Sequence, residues 1–319
     1  MGNIEHLIAA KGRYGGGIYG EYISNLPHVE TVVLIRHSWH NRILKLMEYY
    51  GNLYRISRKA GGAVSIRNTD GALFLNSRQK NILVFHHYHP IAKNRLLFWY
   101  QKWAYENLIR NMDQIDILVV VSQYWKDHFE QLDLPIKRIE VIYNPFEVER
   151  YAVKGEEVWQ EFRKKYGLSD KPIVYIGNLQ EEKGALETYE ALKNLEIEMV
   201  ASGIARLNLP VRHLDLSFDD YITLLQLSSV SVLMSRLHEG WNRVAHESLL
   251  CGTPVIGTGY GGMGELLEGA GQTICRDFAR LPKLVEEQLS NPVIGIEAQR
   301  YVSSFSVQRF EKAWEEVLK

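Results

Sequence analysis

Two strand-to-helix crossings sit side by side between Ser235 and Glu268, and they limit the folds open to this chain. An apolar run, Val230 to Met234, reads as a buried strand. A loop from Arg236 to Trp241 follows and carries Glu239. Asn242 has the side chain to cap a helix, because its amide oxygen can accept from a free N–H of the first turn. That helix is expected to reach about Leu250 and carries Glu247. Gly252 ends it, Pro254 opens a second buried strand, and four glycines fall between Gly257 and Gly262. Alternation of this kind builds parallel α/β sheets, in which ligands bind at the carboxyl ends of strands, where such crossings lie.

The alternation extends through the second half. Strands are expected at Ile173–Ile176, Ile197–Ala201, Val211–Leu214, Val230–Met234, Pro254–Gly257 and Gln272–Cys275. Helices fall between most of them, and three more, Phe278–Leu289, Gly295–Tyr301 and Val307–Leu318, close the chain. The first half opens with a βαβ unit: a strand Ile4–Ala10, the run Gly15-Gly16-Gly17, a helix Ile18–Leu26 and a strand Thr31–Ile35. Three glycines let the backbone approach a bound group without Cβ interference; a plain surface turn is the other reading.

A helix is expected at Asn41–Tyr50. Tyr54–Leu75 reads as short strands and hairpin-like segments, with turns at Gly61-Gly62 and Asp70-Gly71. The strand Asn81–Phe85 ends in His86-His87-Tyr88-His89-Pro90. A polar substrate loop or a structural loop suits these histidines better than a metal site, because no partner ligands of metal spacing stand out. The helix Lys93–Asn111 mixes Leu96, Phe98, Trp99 and Trp103 with Lys93, Arg95, Lys102 and Arg110. It suits a core-facing helix with a solvated basic side, or a helix lying on an anionic membrane. A strand Ile115–Val121, Ser122 as a cap, a helix Tyr124–Glu130 and a strand Arg138–Tyr143 follow. Strand patterning stops in the linker 146–154, and a helix Glu156–Tyr166 begins. The expected domains are 1–148 and 149–319, with the last helix, about 306–319, a candidate to pack back on the first.

The length of 319 residues suits two domains of this size. With 37 basic against 38 acidic residues, the chain lacks the basic excess of a bulk nucleic-acid binder. Cys251 and Cys275 stand apart and read as buried thiols. No disulfide framework or signal peptide is evident, so a cytoplasmic location is expected, with peripheral contact at the inner membrane face left open. No apolar run approaches the roughly 20 residues of a membrane span.

Chemistry gathers in the second half. The turn Gly177 to Gly184 places Lys183 beside the start of a helix at about Ala185, where free N–H groups and a cation favour an anion. It is no P-loop, since neither Ser nor Thr follows Lys183. The run Gly257 to Gly262 formally matches G-x-G-x-x-G, with Asp277 where a ribose-binding acid would fall. This supports an NAD(P)-dependent oxidoreductase, but the helix that follows is short for a dinucleotide unit. Glu239 and Glu247 have seven residues between them and lie at different depths of one helix start. Two carboxylates so placed suit hydroxyl recognition, since each accepts two hydrogen bonds.

Glu239-Gly240-Trp241 through Glu247, followed by Cys251-Gly252-Thr253-Pro254-Val255-Ile256, resembles the E-x7-E region of the retaining, family-four glycosyltransferases. Gly15–Gly17, Phe85-His86, Val119–Ser122, Val141–Asn144, Gly177–Gly184 and Gly261-Gly262 to Glu265 resemble further family segments, in order. The resemblance implies the GT-B fold, two Rossmann-like domains with parallel sheets facing a central cleft, the acceptor in the first and the nucleotide sugar in the second. It implies that Glu239 contacts the donor sugar, Glu247 the ribose hydroxyls and Lys183 the diphosphate, with His86 facing the sugar from the other domain. Gly16, Gly17, Asn178, Arg243, Gly261 and Gly262 complete the donor set. The family's usual arginine after Gly177 is Asn178 here, with Arg243 a candidate substitute. Gly264 stands where the family often has proline.

The function implied is transfer of a sugar from a UDP- or GDP-type donor to a carbohydrate or lipid-linked acceptor, independent of metal or other cofactors. The alternative from another class is a non-catalytic nucleotide-sugar-binding protein, which the missing arginine and the short first domain motivate.

Overall fold

The structure, a computed structural model, describes residues 3–9, 16–38, 40–58, 64–88, 95–291 and 294–319. Gly15, Gly61, Gly62, His89 and Lys93 lie outside the described residues. The chain divides into two compact units: Met1–Pro145 with Val307–Lys319, and Phe146–Ser306.

The first unit contains, in chain order, β1 (Ile4–Ile8), α1 (Gly16–Ser24), β2 (Val29–Val33), α2 (Arg42–Arg58), β3 (Val64–Asn68), β4 (Lys80–Phe85), α3 (Arg95–Arg110), β5 (Ile117–Val120), α4 (Gln123–Glu130) and β6 (Ile139–Val141). Its parallel sheet has the order β2-β1-β3-β4-β5-β6. Side chains alternate across a strand, and the core divides accordingly. Ile82, Val84, Ile117 and Val119 face one cluster with Tyr19 and Ile23 of α1. Leu83, Phe85, Leu118 and Val120 face the other, with Leu108 of α3 and Trp125 and Phe129 of α4.

The second unit contains α5 (Glu156–Tyr166), β7 (Ile173–Tyr175), α6 (Ala185–Leu192), β8 (Glu198–Ser202), β9 (Arg212–Leu214), α7 (Phe218–Leu227), β10 (Ser228–Leu233), α8 (Arg243–Leu250), β11 (Val255–Gly257), α9 (Gly262–Gly269), β12 (Thr273–Ile274), α10 (Leu281–Ser290) and α11 (Ile296–Ser303). Its parallel sheet runs β12-β11-β10-β7-β8-β9, the doubly wound order of a Rossmann sheet. Val174, Val230, Val232 and Ile256 meet α6 and α10 on one face. On the other, Ser231 Oγ meets Ser248 Oγ of α8 at 2.8 Å. The last helix, α12 (Val307–Leu318), belongs to the first unit, where Phe310, Trp314 and Val317 join the α1 side of the core. The two parallel sheets with their helices give the α/β architecture of two Rossmann-like domains.

Three local expectations are corrected. The glycines Gly16 and Gly17 are not a loop ahead of a helix at Ile18; they are the first residues of α1. The stretch 54–75 holds no hairpin among the described residues. Helix α2 continues to Arg58, and β3 inserts in parallel between β1 and β4, followed by a 3-10 turn at Thr69–Leu73. Ser65 and Arg67 are fully buried polar residues inside that central strand, and they mask its periodicity. Ser122 occupies the cap position of α4, but its side chain makes no capping bond.

Candidate active site

In the second unit β7 and β10 are neighbours although β8 and β9 intervene in the chain. The connections after them leave in opposite directions, and such a switch point is where an open parallel sheet binds ligands. The loop after β7 contains Gly177 at φ 71°, a 3-10 turn Glu181–Lys183, and Gly184 at φ 67° before α6. A Cβ on Gly184 would collide with the Met234 carbonyl oxygen just past β10, so only glycine lets the two strand ends close together. That approach brings Lys183 to Glu239, whose carboxylate Oε1 accepts from the Lys183 ammonium. The carboxylate is nearly buried, whereas Lys183 keeps part of its side chain in solvent.

Glu239 is also fixed through its backbone. It bridges Gly261 as a one-residue parallel pair, and the Gly262 N–H donates to its carbonyl at 2.9 Å. Gly261 has φ 67°, and a Cβ there would overlap that carbonyl oxygen. The Thr258 hydroxyl donates to the Ser235 carbonyl at 2.5 Å, joining the acidic loop to the glycine loop again. Helix α9 therefore begins against Glu239 with no side-chain cap. At the neighbouring α8, by contrast, Asn242 Oδ1 accepts from the Ala245 N–H at 2.8 Å, the cap expected from sequence. The chemistry offered is a cation, a carboxylate and the N-terminal end of a helix, a set suited to an anion bearing hydroxyls.

Glu247 lies one turn into α8 and is buried. The Tyr221 hydroxyl donates to its Oε2 at 2.9 Å, and Arg243 Nη2 approaches Oε1 at 3.4 Å. Burial raises its pKa, and Arg243, Tyr221 and Tyr151 oppose that shift without cancelling it. Arg243 also lies over the Phe146 ring at 4.4 Å, so it serves Glu247 and Phe146. Asn178 abuts the end of β8: its side-chain oxygen is 2.5 Å from where a Cβ on Gly203 would be. Gly264, in the first turn of α9, leaves no room for a side chain, since its Cβ would meet the Gly259 carbonyl at 2.6 Å. Sequence reasoning misses Tyr221, Tyr151 and Gly203; the tyrosines lie far from Glu247 along the chain, with no local signal to join them.

His86 and Gly16 form a separate constellation in the first unit, and Gly17 follows Gly16 in α1. His86 follows β4, and the first turn of α1 closes over it: a Cβ on Gly16 would be 3.2 Å from His86 Nε2. Its ring meets Tyr19 edge-on at 5.1 Å. Burial pushes its pKa down to about 3, with His87 and His6 adding to the effect. His6, on β1, is pushed down by burial to about 4, and its Nδ1 lies 3.0 Å from Ser24 Oγ. The structure thus joins Lys183, Glu239, Gly261 and Gly262 in one cluster and Arg243 with Glu247 in another. Among the described residues no group of His, Cys, Asp or Glu is arranged to hold a metal. Cys251 and Cys275 are buried and free.

Residues 6–150 match the model of Glycosyltransferase Family 4, and residues 159–291 match that of Glycosyl transferases group 1. The two matches follow each other along the chain, one in each unit, and the chain belongs to the glycosyltransferases of GT-B fold. Among curated proteins it is 29% identical over 181 residues to N-acetyl-alpha-D-glucosaminyl L-malate synthase of Bacillus anthracis, covering 51% of this chain and 46% of that protein. It is 31% identical over 166 residues to the uncharacterized glycosyltransferase MJ1178 of Methanocaldococcus jannaschii, covering 48% of this chain and 42% of that protein. The matched region thus spans about half the length of these curated relatives. Among solved structures, Anabaena HepE in complex with UDP and glucose superposes with a TM-score of 0.76 at 17% identity, covering 100% of this chain and 99% of that one. Sucrose-phosphate synthase of Thermosynechococcus elongatus gives 0.76 at 15% identity, covering 99% and 98%.

Proposed function

We propose that this protein transfers a sugar, with retention, from a nucleotide-diphosphate sugar to a carbohydrate or lipid-linked acceptor. The observation that carries the reading is the joining of Lys183, Glu239 and the uncapped start of α9 at the β7/β10 switch point. Negative charge develops on the diphosphate as the glycosidic bond breaks. Lys183 and the N–H groups in the first turn of α9 other than those of Gly262 and Gly264, which donate to the Glu239 and Gly261 carbonyls, are the groups of this unit suited to stabilise it. Arrival of the diphosphate would draw Lys183 from Glu239 and leave the carboxylate to accept sugar hydroxyls. Glu247, held by Tyr221 and Arg243, is assigned to the ribose. Neutral His86 is assigned a hydrogen-bonding part in transfer. Complexes of HepE with UDP and with UDP-glucose support a donor of the UDP type. No metal or other cofactor enters this scheme.

The dehydrogenase reading loses its topological basis. Its glycine run follows β11, the fifth strand of the unit, whereas a dinucleotide fingerprint belongs in the first strand-to-helix turn, here 177–184. The test is a melting-temperature screen with UDP, GDP, ADP and their sugars against NADH, since a ligand selective for the folded state raises apparent stability. A shift by a nucleotide sugar, with transfer or slow donor hydrolysis abolished by Glu239→Ala, supports the proposal. A shift by NADH alone sinks it, and donor binding with no turnover on any acceptor leaves a binding protein.

A further inference from the structure

Both donor glutamates lead back to one ring. Arg243 and His246 stand three residues apart on α8, so their side chains leave the helix on the same side. Both lie against Phe146. The Arg243 guanidinium is 4.4 Å from the centre of that ring, and the His246 ring stacks on it at 3.8 Å with 9° between the planes. Phe146 is buried and is the residue at which the chain enters the second unit. Its backbone is fixed where the chain leaves again: it bridges Ser306 as a one-residue parallel pair, and its N–H donates to the Phe305 carbonyl. The Phe305 ring meets His246 edge-on at 5.1 Å. The entry and the exit of the unit thus grip the same imidazole.

Each contact continues to a glutamate. Arg243 Nη2 lies 3.4 Å from Oε1 of Glu247. His246 reaches the loop of Glu239 through Trp241, two residues further on, whose indole N–H donates to Nδ1 at 3.1 Å. Its Nε2 donates to the Val302 carbonyl of α11 at 3.0 Å. Both nitrogens of a fully buried ring are therefore engaged, and a satisfied buried network fixes the arrangement of its members. The Glu239 loop has two anchors: the glycine turn at Gly261 and the Trp241–His246 bond. A buried phenyl ring ordinarily serves packing alone. Here a cation and an imidazole both use its planar face, which aliphatic bulk of the same size would not supply.

We infer that Phe146 is a positioning residue for the donor, setting Glu239 through His246 and Trp241, and Glu247 through Arg243. This role rests on the assignment of Glu239 to the sugar and Glu247 to the ribose. UDP affinity then reports on Glu247, and the gain in affinity of UDP-glucose over UDP reports on Glu239.

Calorimetric titration of the full chain with UDP and with UDP-glucose provides the test. Phe146→Leu keeps apolar volume and should weaken UDP about tenfold and remove most of the gain from the sugar, with circular dichroism unchanged. Trp241→Phe keeps a ring beside Phe305 and deletes the indole N–H. It should leave UDP affinity within about twofold and still remove most of the gain. In the double variant the gain should fall no further than in Phe146→Leu alone, because both changes act through one hydrogen bond. Phe146→Leu binding both ligands like the unaltered chain overturns the positioning role and leaves the donor reading standing, as do losses of the gain that multiply in the double variant. Trp241→Phe retaining the whole gain overturns it too, and decides the matter should Phe146→Leu not fold. If the unaltered chain binds neither ligand, or binds both equally, the assignment of the glutamates fails first and the positioning role with it.

Discussion

The two units share an architecture and place their chemistry differently. Among the described residues the glycines with positive φ, from Gly167 to Gly271, all belong to the second unit, and four of them (Gly177, Gly184, Gly259 and Gly261) fall in its ligand loops. In the first unit positive φ occurs at His28 and Asp133, and its glycines at 16 and 20 are helical residues that make room for the rings of His86 and His6. The second unit thus shapes its site with backbone and the first with side chains. A site made of backbone tolerates few substitutions at its turns; a surface made of side chains can change partner by point mutation.

This contrast can be broken at several places. The largest effect is expected from Lys183→Ala, which removes the cation from the developing diphosphate charge: transfer should fall by about 10²–10³ in kcat with the fold intact by circular dichroism. A loss smaller than tenfold would move the charge-stabilising role elsewhere. Next, Gly261→Ala should cost about 1–3 kcal/mol in denaturant unfolding, because a side chain there meets both a left-handed backbone and the Glu239 carbonyl. Donor binding should weaken with it.

Acid provides the third test. The pKa values of His6, His86 and His246 are lowered by burial to about 4, 3 and 3, so all three are neutral in the folded state near neutrality. Unfolded histidine takes up its proton near pH 6.5, so between there and pH 4 the unfolded chain holds more protons. Stability contributed by these neutral rings is complete above about pH 6.5 and falls as the pH drops toward their folded values. At His246 the proton positions are clear: the Trp241 indole N–H donates to Nδ1 at 3.1 Å, which leaves Nε2–H to donate to the Val302 carbonyl at 3.0 Å. A melting temperature flat from pH 7 to 4.5 would contradict this. The smallest effect is the mirror image of the glycine test. Gly51 lies inside α2 with nothing within 4 Å of its Cβ position, so Gly51→Ala should stabilise by about 0.5–1 kcal/mol.

Local chemistry makes much of the second unit legible. Its strands are apolar runs between turn residues, and Asn242 announces the start of α8 by its side chain. The first unit is harder where a central strand carries Ser65 and Arg67, whose burial depends on partners elsewhere: Arg67 donates to Ser65 Oγ, to Ser57 Oγ and to the Phe74 carbonyl. No periodicity within one short strand can report such contacts. The site shows the same limit. Glu239, Glu247 and Lys183 stand out by type and spacing, but the Lys183–Glu239 pair spans 56 residues and the Tyr221–Glu247 bond 26. Those contacts exist only after the sheet has placed β7 beside β10.

The return of α12 sets an order of assembly. Trp314 is fully buried in the core of the first unit, beside residues of α1 from the opposite end of the chain. The second unit is continuous in the chain and closes on itself where the Phe146 N–H donates to the Phe305 carbonyl at 3.0 Å. On a ribosome, domains ordinarily mature from the N-terminus onward. Here the unit that emerges first must wait for the last helix, with its α1 side lacking Phe310, Trp314 and Val317, while the unit that emerges second can finish before it.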